Sequence, residues 1–159
     1  MSEYRNIISL RSDLSMQDVI DVCKSLVPCR YSHRPYRYPE LENGVALLHS
    51  EDGLNCYMAA YGEMHMMKCR AALQNFPFEE IRGVIEIVDW GCGQGIGSMC
   101  VIDALKQRDL FVWLKRVTLV EPSKYAMERA ETNLVRATNG TIRVIPVERY
   151  LPGDEDSEQ

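Results

Sequence analysis

The residues best suited to chemistry lie in the middle of the chain, between a short apolar run and an amphipathic segment. Asp89 ends the apolar run, and Gly91, Gly93 and Gly95 follow it at alternate positions. Glycine has no Cβ and tolerates positive φ, so such a loop lets a ligand contact the backbone. A helix that begins after the loop would direct unpaired N–H groups and the positive end of its dipole toward that ligand. The pattern predicts a pocket for a nucleotide-type ligand.

Strands and helices must alternate around this loop to position it. The β-branched run from 84 to 88 predicts a strand buried on both faces, as in parallel sheets covered by helices. Residues 98–107 have helical apolar spacing, and the apolar run 117–121 predicts a second strand that ends in a carboxylate. The expected order is therefore strand, glycine loop, helix, strand.

A second helix and a third strand follow. The helix is predicted over about 123–137, with its buried positions at Tyr125, Ala126, Ala130, Leu134 and Ala137. The strand is predicted at 142–147, after a turn at Asn139-Gly140. Because Pro146 cannot donate to a strand ladder, we expect this strand at an edge of the sheet. Trp90 is expected to cover one side of the first strand.

The glycine spacing indicates the ligand. A dinucleotide fingerprint needs a sixth-position glycine, where this chain has Ile96 or Ser98, depending on the register. The order acidic, any, Gly, any, Gly, any, Gly instead resembles the first motif of class I methyltransferases, which bind S-adenosylmethionine (SAM). Glu121 ends the next strand, 26 residues after Gly95, where that family has an acidic residue that holds the ribose hydroxyls.

The resemblance implies a role for each matching residue. The glycines would admit the methionine part of SAM, Asp89 would order the loop and the ligand amine, and Glu121 would bind both ribose hydroxyls. Glu148, after the third strand, is the nearest match to an acidic residue that approaches the adenine amine. Two alternatives stay open: Asp89 as a cap of the following turn, and Glu121 as an exposed strand-end carboxylate. The residues that adjoin these positions complete the predicted cofactor-binding set: Cys92, expected to pack under the loop, and Pro122.

The fold class expected from these elements is α/β, with a truncated Rossmann-like parallel sheet of about three core strands after an N-terminal helical segment. The expected divisions are a helical segment at 1–83, a SAM-binding half domain at 84–152 and an acidic disordered tail at 153–159. The family sheet has more strands, so the resemblance implies an N-terminal half without the residues that carry catalysis. The far edge of the first strand would then need a cover, either the rest of a longer protein, which we favour, or a partner chain or the N-terminal segment.

Two helices are predicted in the N-terminal segment. Ser15 and Asp18 form a capping-box pattern before an apolar face that ends near Pro28. A longer helix over 54–75 precedes Pro77, and its Tyr57 or Tyr61 would cover the ligand, unless both are core aromatics. The side chains expected near one stripe of this helix are Leu54, Tyr57, Met58, Tyr61, Met64, His65, Lys68, Ala72 and Leu73. Its Met, His and Cys residues favour core packing over a metal site, and no metal is expected.

An arginine- and tyrosine-rich segment at 30–38 is a candidate nucleic-acid contact, with Arg34 and Arg37 as substrate residues. Proline at 35 and 39 keeps this segment irregular. Against a broad nucleic-acid surface, the chain has a net charge of −5. The alternative is a loop whose arginines pair with acidic neighbours and whose tyrosines pack on the core.

The composition favours a cytoplasmic protein. The chain has 159 residues, of which 46% are hydrophobic and 26% charged, as in ordinary globular domains. Six cysteines without a CxxC pair, no signal peptide and no apolar run of membrane-spanning length favour a reducing compartment and no membrane contact. The sequence therefore predicts a SAM-dependent methyltransferase, a transferase whose methyl acceptor is not identified by the motifs, with RNA as the candidate from the segment at 30–38. The alternatives are a SAM-binding or scaffold module without catalysis and, more weakly, an oxidoreductase.

Overall fold

The computed structural model describes residues 2–44 and 47–149 and shows an α/β fold. The predicted acidic tail at 153–159 lies outside the described residues. Five helices and three strands occur in the described part, with short 3-10 turns between them. In chain order they are α1 (Glu3–Ser9), α2 (Met16–Ser25), α3 (Glu51–Gln74), β1 (Ile85–Trp90), α4 (Ile96–Lys106), β2 (Leu114–Glu121), α5 (Lys124–Ala137) and β3 (Arg143–Glu148).

The three strands form an open, all-parallel sheet in the order β1-β2-β3. Asp89 lies in register with Leu119 of β2, and Glu121 lies in register with Glu148 of β3. The carboxyl ends of the strands therefore meet at one edge, where the loops that follow them can form a common site. Rossmann-like topology, the three strands and the edge position of β3 are confirmed for the described residues.

One face of the sheet packs against helices. The side chains of Val117 and Leu119 in β2 are fully buried, and so are those of Ile102 in α4 and Leu134 in α5. Strand-helix-strand units of a parallel sheet have right-handed connections, so α4 and α5 lie over the same face. The N-terminal helices α2 and α3 extend this core, because their buried side chains belong to the same apolar cluster.

The prediction that the first strand is buried on both faces is wrong. Burial alternates along β1, and Val88 and Trp90 are 56% and 52% exposed. Within residues 2–44 and 47–149, β1 pairs only with β2, and no helix covers the face that carries these two side chains. Trp90 therefore lies on an uncovered face. This arrangement agrees with the expectation that one edge of β1 is unpaired. That the rest of a longer protein or a partner chain covers this edge stays a prediction.

Local sequence signals explain most helix ends. Ser15 and Asp18 form the predicted capping box of α2. Ser50 and Ser123 cap α3 and α5, each through its hydroxyl oxygen, which accepts a backbone N–H of the first turn. The apolar face of α2 is buried as predicted.

Burial along α3 and α5 differs from the prediction at particular positions. Tyr125 is 49% exposed rather than buried, because it lies about 100° around the helix from its neighbour Ala126, which faces the core. On α3, Met64 is 43% exposed and Lys68 and Ala72 are also exposed, whereas Met66 is buried. The predicted buried positions Ala126, Ala130, Leu134 and Ala137 of α5 are confirmed.

Candidate functional site

A cavity of about 550 Å³ opens at the carboxyl ends of the strands. Its walls come from the loop between β1 and α4, from the segment after β2, from α3 and from Gly44, Leu47 and Leu48. It brings together most of the predicted cofactor-binding residues. The residues that line it are Gly44, Leu47, Leu48, Tyr57, His65, Cys69, Asp89, Gly91, Cys92, Gly93, Gln94, Ile96, Gly97, Glu121, Pro122, Ser123, Ala126 and Arg149.

Glu121 has the most constrained carboxylate in the cavity wall. Its side chain is buried, and its two oxygens accept N–H groups from Gly93 and from Ser123, each at 2.9 Å. A carboxylate has about four acceptor positions, so these two bonds orient it and leave two positions for hydroxyl donors. The alternative of an exposed strand-end carboxylate is wrong, because folding of the glycine loop over β2 encloses the side chain.

Asp89 holds the first turn of α4. Its Oδ2 accepts the backbone N–H of Ser98 at 3.0 Å and the Ser98 hydroxyl at 2.6 Å. The capping alternative is therefore present, and the same bonds order the loop as predicted. Oδ1 has no hydrogen-bond donor among the described residues, and Asp89 lines the cavity. An ordering role and a contact with a ligand amine are compatible in this geometry.

The three loop glycines do not share one role. All have positive φ, at 66° for Gly91, 51° for Gly93 and 84° for Gly95. A Cβ on Gly91 or Gly93 would meet no atom within 4 Å, so both keep the cavity open. A Cβ on Gly95 would lie 3.0 Å from Leu134 Cδ1, and Gly95 does not line the cavity. Gly95 therefore lets the loop approach α5, whereas Gly91 and Gly93 face ligand space.

The hydrogen-bond donors open to a ligand differ from those expected. The N–H groups of Gly91 and Cys92 donate to Val120 O, and that of Gly93 donates to Glu121. The N–H groups in the first turn of a helix have no acceptor within the helix, and two residues of that turn of α4, Ile96 and Gly97, line the cavity. The glycines shape the loop, and the N-terminus of α4 supplies the donors.

The residues predicted after β3 and beside the glycines are placed as follows. Glu148 is exposed and does not line the cavity, whereas the next residue, Arg149, does. Pro122 lines the cavity directly after Glu121. Cys92 is buried in the wall, and burial raises the pKa of its thiol, so the sulfur stays protonated and packs under the loop as predicted.

Helix α3 forms the wall opposite the strand ends. The Tyr57 hydroxyl lies 3.3 Å from His65 Nε2, and the two rings stack with an interplanar angle of 7°. Cys69, one turn further along, completes this wall. Burial raises the pKa of Tyr57, and burial and then the positive charge of Lys68 lower the pKa of His65. Of the two tyrosines proposed to cover the ligand, Tyr57 lines the cavity. Tyr61 packs edge-on against the Tyr57 ring, with the ring centroids 5.3 Å apart.

A buried polar network behind the loop has no counterpart in the sequence motifs. The guanidinium of Arg129 donates to Asn55 Oδ1 at 2.7 Å and to Gln94 Oε1 at 3.3 Å, and it pairs with Glu51. Its Cζ lies 3.8 Å from the ring centroid of Tyr4. Gln94 belongs to the glycine loop, so the network ties the loop to α1, α3 and α5.

Further bonds fix Gln94 from the opposite direction. The side-chain Nε2 of Gln94 donates to Leu54 O at 2.9 Å, and the backbone carbonyl of Gln94 accepts from Asn133 Nδ2 at 3.1 Å. Asn133 in turn accepts the Tyr4 hydroxyl at 2.5 Å. The sequence signal for this network was two polar residues, Arg129 and Asn133, on the otherwise apolar face of α5, but the partners of Arg129 are up to 125 positions away along the chain.

The arginine- and tyrosine-rich segment lies away from the cavity lining. Arg34 and Arg37 are exposed and form no ion pair with the described residues. Tyr31 and Tyr38 contact each other edge to face, with their ring centroids 5.1 Å apart. Both pack against a small apolar cluster separate from the main core, formed by Leu41, Leu48, Leu54, Cys56 and Ala126. The alternative is therefore right for these two tyrosines, whereas the expected ion pairs are not seen in the described part of the chain.

The comparisons with known proteins identify no relative: no family model, curated protein or solved structure matches the chain. None of the described helices is both long and apolar enough to cross a bilayer. The described residues also contain no group of three or more His, Cys, Asp or Glu side chains placed to hold a metal ion. Arguments about function therefore rest on the geometry of the cavity.

Proposed function

We propose that the cavity binds SAM and that the chain is the SAM-binding part of a methyltransferase. The observation that carries the proposal is the environment of the Glu121 carboxylate. It is buried from bulk solvent but lines the cavity, and each of its oxygens accepts one backbone N–H. Beside it, Gly91 and Gly93 leave space where a side chain would otherwise enter the cavity. This arrangement suits a vicinal diol, because each carboxylate oxygen has a further acceptor position.

The rest of the ligand fits on either side of Glu121. The methionine part extends past Gly91 and Gly93 toward the first turn of α4, where Asp89 Oδ1 accepts from the ligand amine. The adenine part lies among apolar side chains beyond Glu121, at Leu48, Pro122 and Ala126. A nucleoside with an amino-acid tail uses polar and apolar parts of the cavity in this way.

The chemistry of transfer requires little covalent participation by the protein. SAM supplies an activated methyl group: the acceptor atom forms a bond to the methyl carbon while the carbon–sulfur electron pair returns to sulfur. The described residues bind and orient the donor, so the rate advantage comes from proximity and alignment.

Isothermal titration tests the cofactor class. The chain is titrated with SAM, with its demethylated product S-adenosylhomocysteine and with NAD as a dinucleotide control. We expect binding of the two SAM-type ligands and none of NAD, because the loop lacks the sixth-position glycine of dinucleotide sites. Binding of NAD alone, or of none of the three, contradicts the proposal.

A binding or scaffold module without catalysis is the second candidate. The observation that favours it is the unpaired edge of β1 with exposed Val88 and Trp90, since such an edge is open to a protein partner. Incubation with methyl-labelled SAM and total cellular RNA or protein separates the two functions. Transfer of label supports the methyltransferase, whereas SAM binding without transfer to either fraction supports the module.

RNA is the acceptor that we propose from the exposed cations. Arg34 and Arg37 flank Tyr36, which is 52% exposed, so guanidinium groups and an aromatic ring are open to a single strand. We expect the double substitution Arg34→Ala/Arg37→Ala to weaken binding of a fluorescent single-stranded RNA and to reduce its salt dependence. The matched control Arg136→Ala/Arg143→Ala also removes two positive charges, but outside the segment at 30–38. Equal affinity of both variants would contradict the RNA proposal.

A further inference from the structure

His65 occupies a distinct position in the cavity wall. Along α3, Tyr57 lies near Glu121, whose negative charge contributes to the raised pKa of Tyr57. Cys69, three turns later, lies beside Cys100 of α4. His65 lies between these points and lines the cavity. It therefore faces the part of the cavity between Glu121 and the N-terminus of α4.

The charges of the cavity are unevenly distributed. Two carboxylates of the described residues line the cavity: Glu121 accepts the N–H of Gly93 in the glycine loop, and Asp89 accepts the N–H of Ser98 in the first turn of α4. Within the same part of the chain, the lining side chains able to carry positive charge are His65 and Arg149. Arg149 follows β3, on the side of Glu121 away from β1, so it lies at the opposite end from Asp89.

An amino-acid tail brings both an amine and a carboxylate into this cavity. Asp89 can accept a hydrogen bond from the ligand amine. A protein carboxylate beside the ligand carboxylate would instead repel it, so the ligand carboxylate needs a hydrogen-bond donor. The N–H groups of Ile96 and Gly97 supply part of this need. His65 is the titratable group on the same side of the cavity that can supply a positive charge.

We propose that His65 binds the carboxylate of the amino-acid end of SAM and takes up a proton from solvent as the ligand binds. This inference rests on the proposed function and adds a specific partner and a pH dependence to it.

The electrostatic surroundings of His65 support proton uptake. Without a ligand, burial and then the Lys68 ammonium lower the pKa of His65, which favours the neutral imidazole. Tyr57, which bonds to its Nε2, is also neutral because burial raises the pKa of the phenol. The charged groups that share the cavity are the carboxylates Asp89 and Glu121 and the Arg149 guanidinium, and all are present before binding.

A ligand carboxylate adds a negative charge next to the ring and raises the pKa of His65 in the complex. A group whose pKa rises on binding takes up protons, and its contribution to affinity is fully present below its pKa in the free protein and is lost as the pH rises through its pKa in the complex. Affinity for a ligand with the carboxylate is therefore expected to increase as the pH falls from about 7.5 to about 5.5. A rise of about one pKa unit in the complex corresponds to up to about tenfold in affinity.

Two ligands and three histidine variants test the inference. S-Adenosylhomocysteine has the amino-acid end, whereas 5′-methylthioadenosine has the same nucleoside and sulfur but neither amine nor carboxylate. Each is titrated calorimetrically near pH 6.5 in two buffers of different ionisation enthalpy, which measures protons taken up on binding. The variants are His65→Gln and the matched controls His33→Gln and His49→Gln, whose side chains are exposed.

We expect the unmodified chain and both controls to take up protons with S-adenosylhomocysteine and not with 5′-methylthioadenosine. His65→Gln should lose this uptake and about tenfold in affinity for S-adenosylhomocysteine near pH 6, while it binds 5′-methylthioadenosine unchanged. Equal proton uptake in His65→Gln, or uptake with 5′-methylthioadenosine, would overturn the inference and leave the proposed function in place. Failure of the unmodified chain to bind either ligand would overturn both.

Discussion

Gly93 and Gly95 belong to one loop and both have positive φ, yet their surroundings are opposite. A Cβ at Gly95 would meet Leu134 of α5 at 3.0 Å, whereas one at Gly93 would meet no atom within 4 Å. The same division extends to their neighbours, since Gln94 is buried in a polar network and Gly91 faces the cavity. The side of the loop at Gln94 and Gly95 is thus packed against other protein atoms, whereas the side at Gly91 and Gly93 leaves space for a ligand.

This difference separates stability from binding within the five residues from Gly91 to Gly95. Substitutions on the packed side should reduce the free energy of unfolding. Substitutions on the cavity side should reduce ligand affinity with a smaller loss of stability. Three stability predictions test the division.

Arg129→Met should have the largest effect on stability. It leaves Gln94 and Asn55 without their shared donor and removes the partner of Glu51, inside a site where Arg129 is 4% exposed. A buried acceptor left without a donor costs about 1–3 kcal/mol, so the two amide oxygens together predict a loss of about 2–6 kcal/mol, which urea denaturation would measure. Arg136→Met, on the same helix, is the control and should change the free energy of unfolding by less than about 0.5 kcal/mol. Equal stability of the two variants would show that the network does not anchor the loop.

The pair Gly95→Val and Gly93→Val tests the two sides directly. Both place a side chain at positive φ, which costs about 1–2 kcal/mol. Gly95→Val adds a steric clash with Leu134, and overpacking of this kind costs about 1–3 kcal/mol more. Denaturation should therefore rank Gly95→Val as the less stable variant, while titration should show that Gly93→Val has lost S-adenosylhomocysteine binding. The reverse ranking in stability would contradict the assignment of the two sides.

Asp89→Ala should have a smaller effect on stability. It removes the acceptor of the Ser98 N–H in the first turn of α4, and loss of such a cap costs about 1 kcal/mol. Glu79→Ala, at an exposed carboxylate, serves as the control in the same urea titration. A loss well above that of a cap would mean that Asp89 has a further structural role.

Local patterns in the sequence were enough to predict the order of strands and helices after residue 83. The β-branched runs, the turn at Asn139-Gly140 and, earlier in the chain, the capping box at Ser15 act through neighbours in sequence, and the structure has each of them. Exposure of β1 could not be predicted, because a run such as 84–88 is equally apolar whether or not another element covers its second face.

The site was predictable only where it follows from the order of elements. Asp89 and Glu121 could be placed together because parallel strands end at one edge of the sheet. The contacts of Gly95 with α5, the lining by His65 and the Arg129 network depend on packing between segments far apart in sequence. Spacing within one segment carries no information about such contacts.

Titration of S-adenosylhomocysteine into Glu121→Gln tests the central claim most directly. The amide keeps the shape of the side chain and one acceptor oxygen but loses the charge that would hold two ribose hydroxyls. Since a hydrogen bond to a charged group contributes about 1.5–3 kcal/mol, we expect at least about a tenfold loss of affinity. Glu80→Gln, an exposed carboxylate, should bind like the unmodified chain. Unchanged affinity of Glu121→Gln would contradict the assignment of Glu121 and, with it, the proposed orientation of SAM in the cavity.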